Sequence, residues 1–222
     1  MTLSKKSVAV ITGAGSGIGQ ALALRFAQEG IAGVAIADLN EKGLEETFSM
    51  VEKTGVAVSK HVVDVSKLAE IQRFADEVIA KHGWATHLVN NAGVGVLGTF
   101  QQLSLEDFEW LMNINFWGVV YGCNVFLPIL LKQDSAHIVN ISSVFGMIAP
   151  PEQTAYCASK FAVRGYTEAL RMELDMENCG VSATCAAGQV PVYRLFRGSK
   201  FPDDPNHRFT TSLAVYNQFV TQ

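Results

Sequence analysis

Tyr156 and Lys160 stand four residues apart in Tyr156-Cys157-Ala158-Ser159-Lys160, a spacing that puts a phenol and an ammonium on one face of a helix. A phenol with an ordinary pKa of about 10 is a poor acid or base near neutrality, and a neighbouring cation favours the phenolate. Lowering that pKa by roughly 3 units takes roughly 4 kcal/mol of differential stabilisation. The pair therefore suits general acid/base work, although the same spacing also occurs on solvated helix faces that do no chemistry. Ser143, thirteen positions before Tyr156, adds a hydroxyl that ends the run Ile138-Val139-Asn140-Ile141-Ser142-Ser143.

A second group of residues suits phosphate. The apolar run Val8-Ala9-Val10-Ile11 leads into Thr12-Gly13-Ala14-Gly15-Ser16-Gly17-Ile18-Gly19, after which Ile18, Leu22 and Phe26 recur at helical spacing. A glycine-rich turn between a strand and a helix start lets a pyrophosphate approach bare backbone N–H groups at the positive end of the helix dipole. The spacing is Gly-x-x-x-Gly-x-Gly, with Ile18 where the Gly-x-Gly-x-x-Gly register has its third glycine. The alternative is a glycine-rich turn without a ligand.

These residues need a frame to bring them together. Apolar runs near 7–12, 33–37, 57–63, 87–90, 136–141 and 181–185 read as strands. Between them, helical periodicity runs near 17–29, 41–53, 67–82, 105–131 and 154–178. Such βα alternation predicts an α/β fold, a three-layer doubly wound parallel sheet of Rossmann type in a single domain spanning 1–222. Ligands of such sheets bind outside the carboxyl ends of the strands, a rim that takes in the glycine loop, Asp38, Asp64, Asn90 and Ser143.

With these motifs in this order, the chain resembles the short-chain dehydrogenase/reductase family from about residue 7 to about residue 190. Asn90-Asn91-Ala92-Gly93 after the strand Leu88-Val89, and Asn115 within Ile114-Asn115-Phe116-Trp117-Gly118, are similar to further family motifs, as is the Ser143-to-Tyr156 spacing. The resemblance implies an NAD(P)-dependent oxidoreductase with Asn115, Ser143, Tyr156 and Lys160 as its catalytic residues. Tyr156 would exchange the substrate's hydroxyl proton and Ser143 hold its oxygen. Lys160 would lower the tyrosine pKa and bind ribose, while Asn115 would anchor a water that relays protons from Lys160. Cofactor contacts are implied for Gly13, Ser16, Gly17, Ile18, Gly19, Asp38, Leu39, Asp64, Val65, Asn91, Ala92, Gly93, Tyr156, Lys160, Gly188 and Val190.

Asp38 ends the second strand, where an acid accepts hydrogen bonds from ribose hydroxyls and repels the extra phosphate of NADP. Neither Ser16 nor Leu39 supplies the Arg or Lys used by NADP-preferring relatives, so NAD is the expected cofactor. Asp38 could instead cap the next helix, a place for which Asn40 is equally suited. Asp64 is similar to the residue that meets the adenine, with a helix cap as its alternative.

Composition narrows the rest. Of 222 residues, 49% are hydrophobic and 17% charged, which suits a sheet covered on both faces. A net charge of -4 argues against nucleic acid or an anionic membrane as partner. No apolar run approaches the roughly 18 residues of a membrane span and the start lacks a signal-peptide core, so a cytoplasmic location is expected. Four cysteines without paired spacing read as reduced thiols, and the five scattered histidines imply no metal.

After the sixth strand the chain departs from the family. Where relatives carry Pro-Gly-x-Val-x-Thr, it reads Ala187-Gly188-Gln189-Val190-Pro191-Val192. A hydroxyl is missing at Val192, and a missing hydrogen bond costs about 0.5–1.5 kcal/mol, so cofactor binding is expected to weaken rather than vanish. Residues 189–222 read as a substrate loop and a short atypical tail with no apolar edge strand, and Phe201 to Asn206 as a loop.

The segment from Val144 to Pro151, with Val94 and Val96, predicts a mostly apolar substrate wall without a cationic clamp, and hence a small-molecule alcohol or ketone; Arg194 or Arg197 on the following loop could reach an anionic group, with solvated side chains as the alternative. A catalytically idle NAD-binding regulator or scaffold of the same fold is the alternative function. The helix near 105–131 carries apolar residues on too broad a face for one inward stripe. With the family resemblance, this implies a homodimer or homotetramer through it and the helix near 154–178.

Overall fold

A computed structural model describes residues 3–186, 193–195 and 208–210. Short runs rich in Val, Ile and Ala form β1 (Val8–Thr12), β2 (Gly33–Asp38), β3 (Ala57–Val62), β4 (His87–Asn90), β5 (Ala136–Ile141) and β6 (Val181–Ala186). Between them lie α1 (Gly17–Gln28), α2 (Glu41–Glu52), α3 (Leu68–His82), α4 (Leu105–Met112), α5 (Gly118–Leu130) and α6 (Thr154–Glu177). The six strands form one parallel sheet in the order β3-β2-β1-β4-β5-β6. This is the doubly wound Rossmann-type sheet that the alternation predicts. Its order reverses between β1 and β4, which opens a crevice at their carboxyl ends.

The helix boundaries follow local chemistry. Asn40 is the N-cap of α2, its side chain accepting from the Gly43 N–H at 3.1 Å, so the cap belongs to Asn40 and not to Asp38. Ser104 caps α4 by accepting from the Asp107 N–H at 3.0 Å. Gly83 closes α3 in the left-handed conformation. Two apolar layers then sandwich the sheet. Phe74, Leu88, Phe126, Ile138 and Val163 fill the side of α3, α5 and α6, while Ile11, Phe26, Ile36 and Leu44 fill the side of α1 and α2.

The helix expected over 105–131 is not uniform. Asn113–Trp117 form a turn of π-helix between α4 and α5, which pivots Asn115 into the interior. Taken together, Leu105–Leu130 has the length and mean hydropathy, 1.2, of a membrane-crossing helix, although Asn113, Asn115 and Asn124 interrupt its apolar run. Part of its apolar surface is spent on the core: Leu111, Val119, Phe126 and Leu130 are buried.

The chain divides at Ala187. Of the unit Gly188–Gln222, the described residues are β7 (Tyr193–Leu195) and β8 (Arg208–Thr210), which pair antiparallel in a sheet of their own, Tyr193 opposite Thr210. Among the described residues neither strand joins the six-stranded sheet, whose last strand is β6. Gly188, Val190, Val192 and the stretch from Phe201 to Asn206 lie outside the described residues.

Four histidines sit within this frame as neutral groups. His61 Nδ1 meets Glu77 Oε2 at 2.6 Å and its Nε2 meets Ser59 Oγ at 2.8 Å; Ser59 Oγ in turn meets His82 Nε2 at 2.9 Å. Burial lowers the pKa of His61, against the pull of Glu77, and lowers those of His82 and His137. Burial likewise drives His87 down to about 4. A histidine with a lowered folded pKa binds its proton preferentially in the unfolded chain. Its contribution is therefore intact above about pH 6.5 and is lost as pH falls toward the folded value. For His87 alone that loss amounts to about 3 kcal/mol between about pH 6.5 and 4. The urea midpoint is thus expected to fall between pH 7.5 and pH 5 with an unchanged slope. An equal or higher midpoint at pH 5 would refute the assignment.

Candidate active site

Three connections end at the crevice between β1 and β4. The loop after β1 turns back on itself so tightly that its glycines are steric necessities. A Cβ on Gly19 would lie 2.1 Å from Gly13 O, and one on Gly13 would lie 2.7 Å from Ala92 Cα. The loop is held from both sides. Gly15 N–H donates to Asp38 Oδ2 at 2.8 Å, and Asn91 Nδ2 donates to Thr12 O and Gly13 O, each at 3.0 Å. Thr12 Oγ1 accepts from the N–H groups of Asn91 and Ala92 at 3.1 and 3.2 Å, tying the two loops together.

The loop fits a pyrophosphate. Ser16, the N-cap of α1, makes no side-chain cap bond, and the first turn of α1 carries no acid. Its N–H groups at Gly17, Ile18 and Gly19 thus face the crevice end of the helix with their dipole uncompensated. Ile18 and Leu39 expose apolar side chains at this edge, Leu39 at 66%. Asp38 directs Oδ2 to Gly15 and Oδ1 to the Asn40 N–H at 2.9 Å, so its carboxylate is fixed at the end of β2.

Asp64 stands apart from this cluster. Its Oδ1 accepts from the Ser66 N–H at 3.0 Å and hydroxyl at 2.6 Å, and Lys67 approaches at 3.3 Å. Burial raises its pKa, but the two Ser66 bonds and Lys67 outweigh that and hold it below the ordinary value. Asp64 does not cap α3, whose N-cap is Lys67. The Val65 side chain is buried near Gly118, leaving only its backbone for a ligand.

On the other side of the crevice, Ser143 follows β5 and Tyr156 and Lys160 lie in the first two turns of α6. Ser142 Oγ donates to Lys160 O at 2.9 Å, and a Cβ on Gly146 would lie 2.8 Å from that same carbonyl. These close contacts press α6 against the turn that carries Ser143. The Tyr156 ring meets the Phe145 ring edge-on at 6.2 Å. Lys160 is 4% exposed; its Nζ donates to Ile141 O at 3.0 Å and stands 5.6 Å from the Tyr156 ring centroid.

The electrostatics differ from the expectation built on spacing. Burial raises the Tyr156 pKa above its ordinary value, with the neighbouring Ser143 hydroxyl opposing it. Burial lowers Lys160 to about 8. The Ile141 carbonyl and the ring face both favour the ammonium, so it is burial, working against them, that brings the lysine and not the tyrosine toward neutrality. Burial thus works against the charged form of both groups, raising Tyr156 and lowering Lys160.

Asn115, fully buried in the π-turn, commits its whole amide to protein. Its Oδ1 accepts from the Val94 N–H at 2.8 Å, and its Nδ2 donates to Val94 O at 2.9 Å and Ser159 Oγ at 3.2 Å. Gly93 lies where a Cβ would come 3.3 Å from Asn115 Oδ1 and 3.5 Å from Lys160 Nζ, so the two groups border one small space. Thr12, Gly15, Ser142 and Ser159 were not among the residues picked out from the sequence. For Thr12 and Gly15 the signal was their place inside the glycine motif; for the two serines it was adjacency to Ser143 and Lys160.

Residues 7–190 match the family described as short chain dehydrogenase. SadH of Mycobacterium tuberculosis is 43% identical over 185 residues, which cover 83% of this chain and 67% of SadH. Among solved structures, a short chain dehydrogenase/reductase of Burkholderia phymatum in complex with NAD is 39% identical, with a TM-score of 0.81 over 83% of this chain and 66% of that one. An NAD+-bound xylitol dehydrogenase is 32% identical, with a TM-score of 0.76 over 81% of this chain and 68% of that one. The chain spans about two thirds of the length of each of these relatives.

Proposed function

The chain belongs to the short chain dehydrogenase family of NAD(P)-binding Rossmann-fold oxidoreductases, and from that premise we propose that it interconverts a secondary alcohol and a ketone with NAD as cofactor. The observation that carries this reading is the meeting of Ser143, Tyr156 and Lys160 at the carboxyl end of β5, across the crevice from the glycine loop. A bound nicotinamide dinucleotide supplies the hydride acceptor or donor. Gly13, Ser16, Gly17, Ile18 and Gly19 would hold its phosphates, Asp38 and Leu39 its adenosine ribose, and Asp64 and Val65 its adenine. Asn91, Ala92 and Gly93 would line its path, with Gly188 and Val190 beyond β6. Lys160 would bind its nicotinamide ribose.

Ser143 would hydrogen-bond the substrate oxygen while Tyr156 takes its proton in oxidation and returns it in reduction. Lys160, buried and ready to lose a proton near pH 8, would pass that proton on. Asn115 would fix the space beside Lys160. Val144, Met147 and Ile148, exposed and apolar beside Ser143, support an apolar substrate, and the enzyme would act in the cytoplasm. The test is turnover across a panel of secondary alcohols and ketones with NAD and NADP. NAD-linked turnover supports the reading, and NAD binding without turnover of any member would favour an idle binder.

NAD preference rests on the Asp38 carboxylate, supported by the NAD in the Burkholderia relative. Asp38→Ser together with Leu39→Arg is expected to shift the kcat/KM ratio toward NADP by about tenfold or more, by removing repulsion and adding a phosphate partner. A ratio that stays with NAD would mean that Asp38 does not meet the ribose.

Self-association is part of the same proposal. Trp110 and Trp117 are 47% and 44% exposed, and Phe116 and Tyr121 are half-buried beside them. Phe161 of α6 is exposed as well. Covering these aromatic side chains by a second copy gives a homodimer or homotetramer. Sedimentation at micromolar concentration is expected to give a multiple of the 24.1 kDa chain. An active monomer would refute the assembly.

A further inference from the structure

The buried hydroxyl of Ser159, in the second turn of α6, ties that helix to the π-turn by hydrogen bonds, where Phe116 and Tyr166 join the same two elements by ring packing alone. Ser159 is fully buried, its Oγ donating to Tyr156 O at 2.8 Å and accepting from Asn115 Nδ2 at 3.2 Å. Asn115 in turn grips both backbone groups of Val94, at 2.8 and 2.9 Å. One continuous chain of hydrogen bonds thus runs from the loop after β4, through the π-turn, to the turn of α6 that carries Tyr156 and Lys160. A serine inside a helix is otherwise no asset, since its back-bond to the preceding turn competes with the helix and alanine is the better helix former. The back-bond here does something else: it aims the oxygen's lone pair at Asn115.

We propose that Ser159 is a positioning residue, the joint that fixes the Asn115 π-turn and the Val94 loop relative to the Tyr156–Lys160 pair. It rests on the oxidoreductase reading only for its effect on turnover. Without the hydroxyl, one Asn115 N–H is buried without an acceptor, and the amide has reason to rotate and release Val94. The space between Asn115 Oδ1, Lys160 Nζ and Gly93 then loses its fixed shape. Small displacements of that kind cost rate more than affinity.

The experiment compares the whole chain with Ser159→Ala and Ser159→Thr. Threonine keeps the hydroxyl and favours the same back-bond in a helix. The first readout is hydrogen exchange at the Val94 amide, with the Val10 amide in β1 as internal reference. Ser159→Ala is expected to speed exchange at Val94 by about tenfold or more with Val10 unchanged. The second readout is steady-state kinetics: kcat is expected to fall about tenfold or more while KM for NAD stays within about threefold, and Ser159→Thr to restore both. If Ser159→Ala does not fold, Ser159→Cys, with a weaker hydrogen-bonding group of similar volume, takes its place. Val94 exchange and kcat both within about threefold of the unmodified chain would overturn the proposal. Faster Val94 exchange in a chain that turns over no substrate would uphold the joint and sink the oxidoreductase reading.

Discussion

Tyr156→Phe is expected to lower turnover by about a thousandfold while leaving the Kd for NAD within about twofold, the loss lying within the usual range for removal of a general acid/base. The substitution spares what holds the ring. Phe145 still meets it edge-on, and the Lys160 ammonium still faces it at 5.6 Å. What disappears is the hydroxyl alone, whose proton burial holds more tightly than in a free phenol. In the unmodified chain the rate of alcohol oxidation should rise through about pH 8, where Lys160 can first lose its proton. Initial rates across pH 6 to 10, with NAD binding followed separately, check both statements. Turnover within about tenfold of the unmodified chain would remove Tyr156 from the proton path.

Gly19→Ala is expected to have the largest effect of an alanine at any of the described glycines. The new Cβ would stand 2.1 Å from Gly13 O and 2.6 Å from Asn91 Nδ2, so it would drive apart two atoms that are themselves hydrogen-bonded at 3.0 Å. Backbone cannot give way there as a flexible side chain would. The loop must open, and NAD affinity is expected to fall about a hundredfold or more, with several kcal/mol of stability lost. Gly17→Ala is the instructive contrast. Nothing lies within 4 Å of its Cβ, but its φ of 55° places alanine in the left-handed region at a cost of about 1–2 kcal/mol. Gly165→Ala, in open space on α6, should stabilise by up to about 1 kcal/mol. Thermal unfolding and NAD titration of the three variants should rank them in that order, and a Gly19→Ala chain that binds NAD normally would contradict the geometry.

The parallel sheet was legible because each strand is a short apolar run flanked by helical periodicity, and every strand from β1 to β6 lies within about two residues of its expected place. The π-turn was not legible. Asn113–Trp117 continue the helical pattern on both sides, and the contacts that accompany the turn, such as the Asn115 amide on Val94, are tertiary. The Tyr156–Lys160 spacing placed both side chains on one face, but not the direction of the ammonium, which depends on the Ile141 carbonyl from a strand fifteen residues upstream of Tyr156. Asp64 shows the same limit: its position at the end of β3 could be read, whereas its commitment to Ser66 and Lys67 arises from the local turn. Residues that hold other residues, such as Ser142 and Ser159, leave no periodic trace at all.

The loop after β1 is held by the protein's own groups, Asp38 of β2 fixing Gly15, and Asn91, just past β4, bonding to Thr12 and Gly13 at the loop's base. Ordering a loop at the moment of association slows encounter and spends binding energy on lost conformational freedom. Here that ordering is completed during folding. The glycine loop is therefore expected to exchange its amide hydrogens as slowly as β1 and β4, even though its composition is that of pliable chain. Differences in cofactor affinity among variants of its edge should accordingly be felt as differences in residence time, with the rate of capture nearly constant.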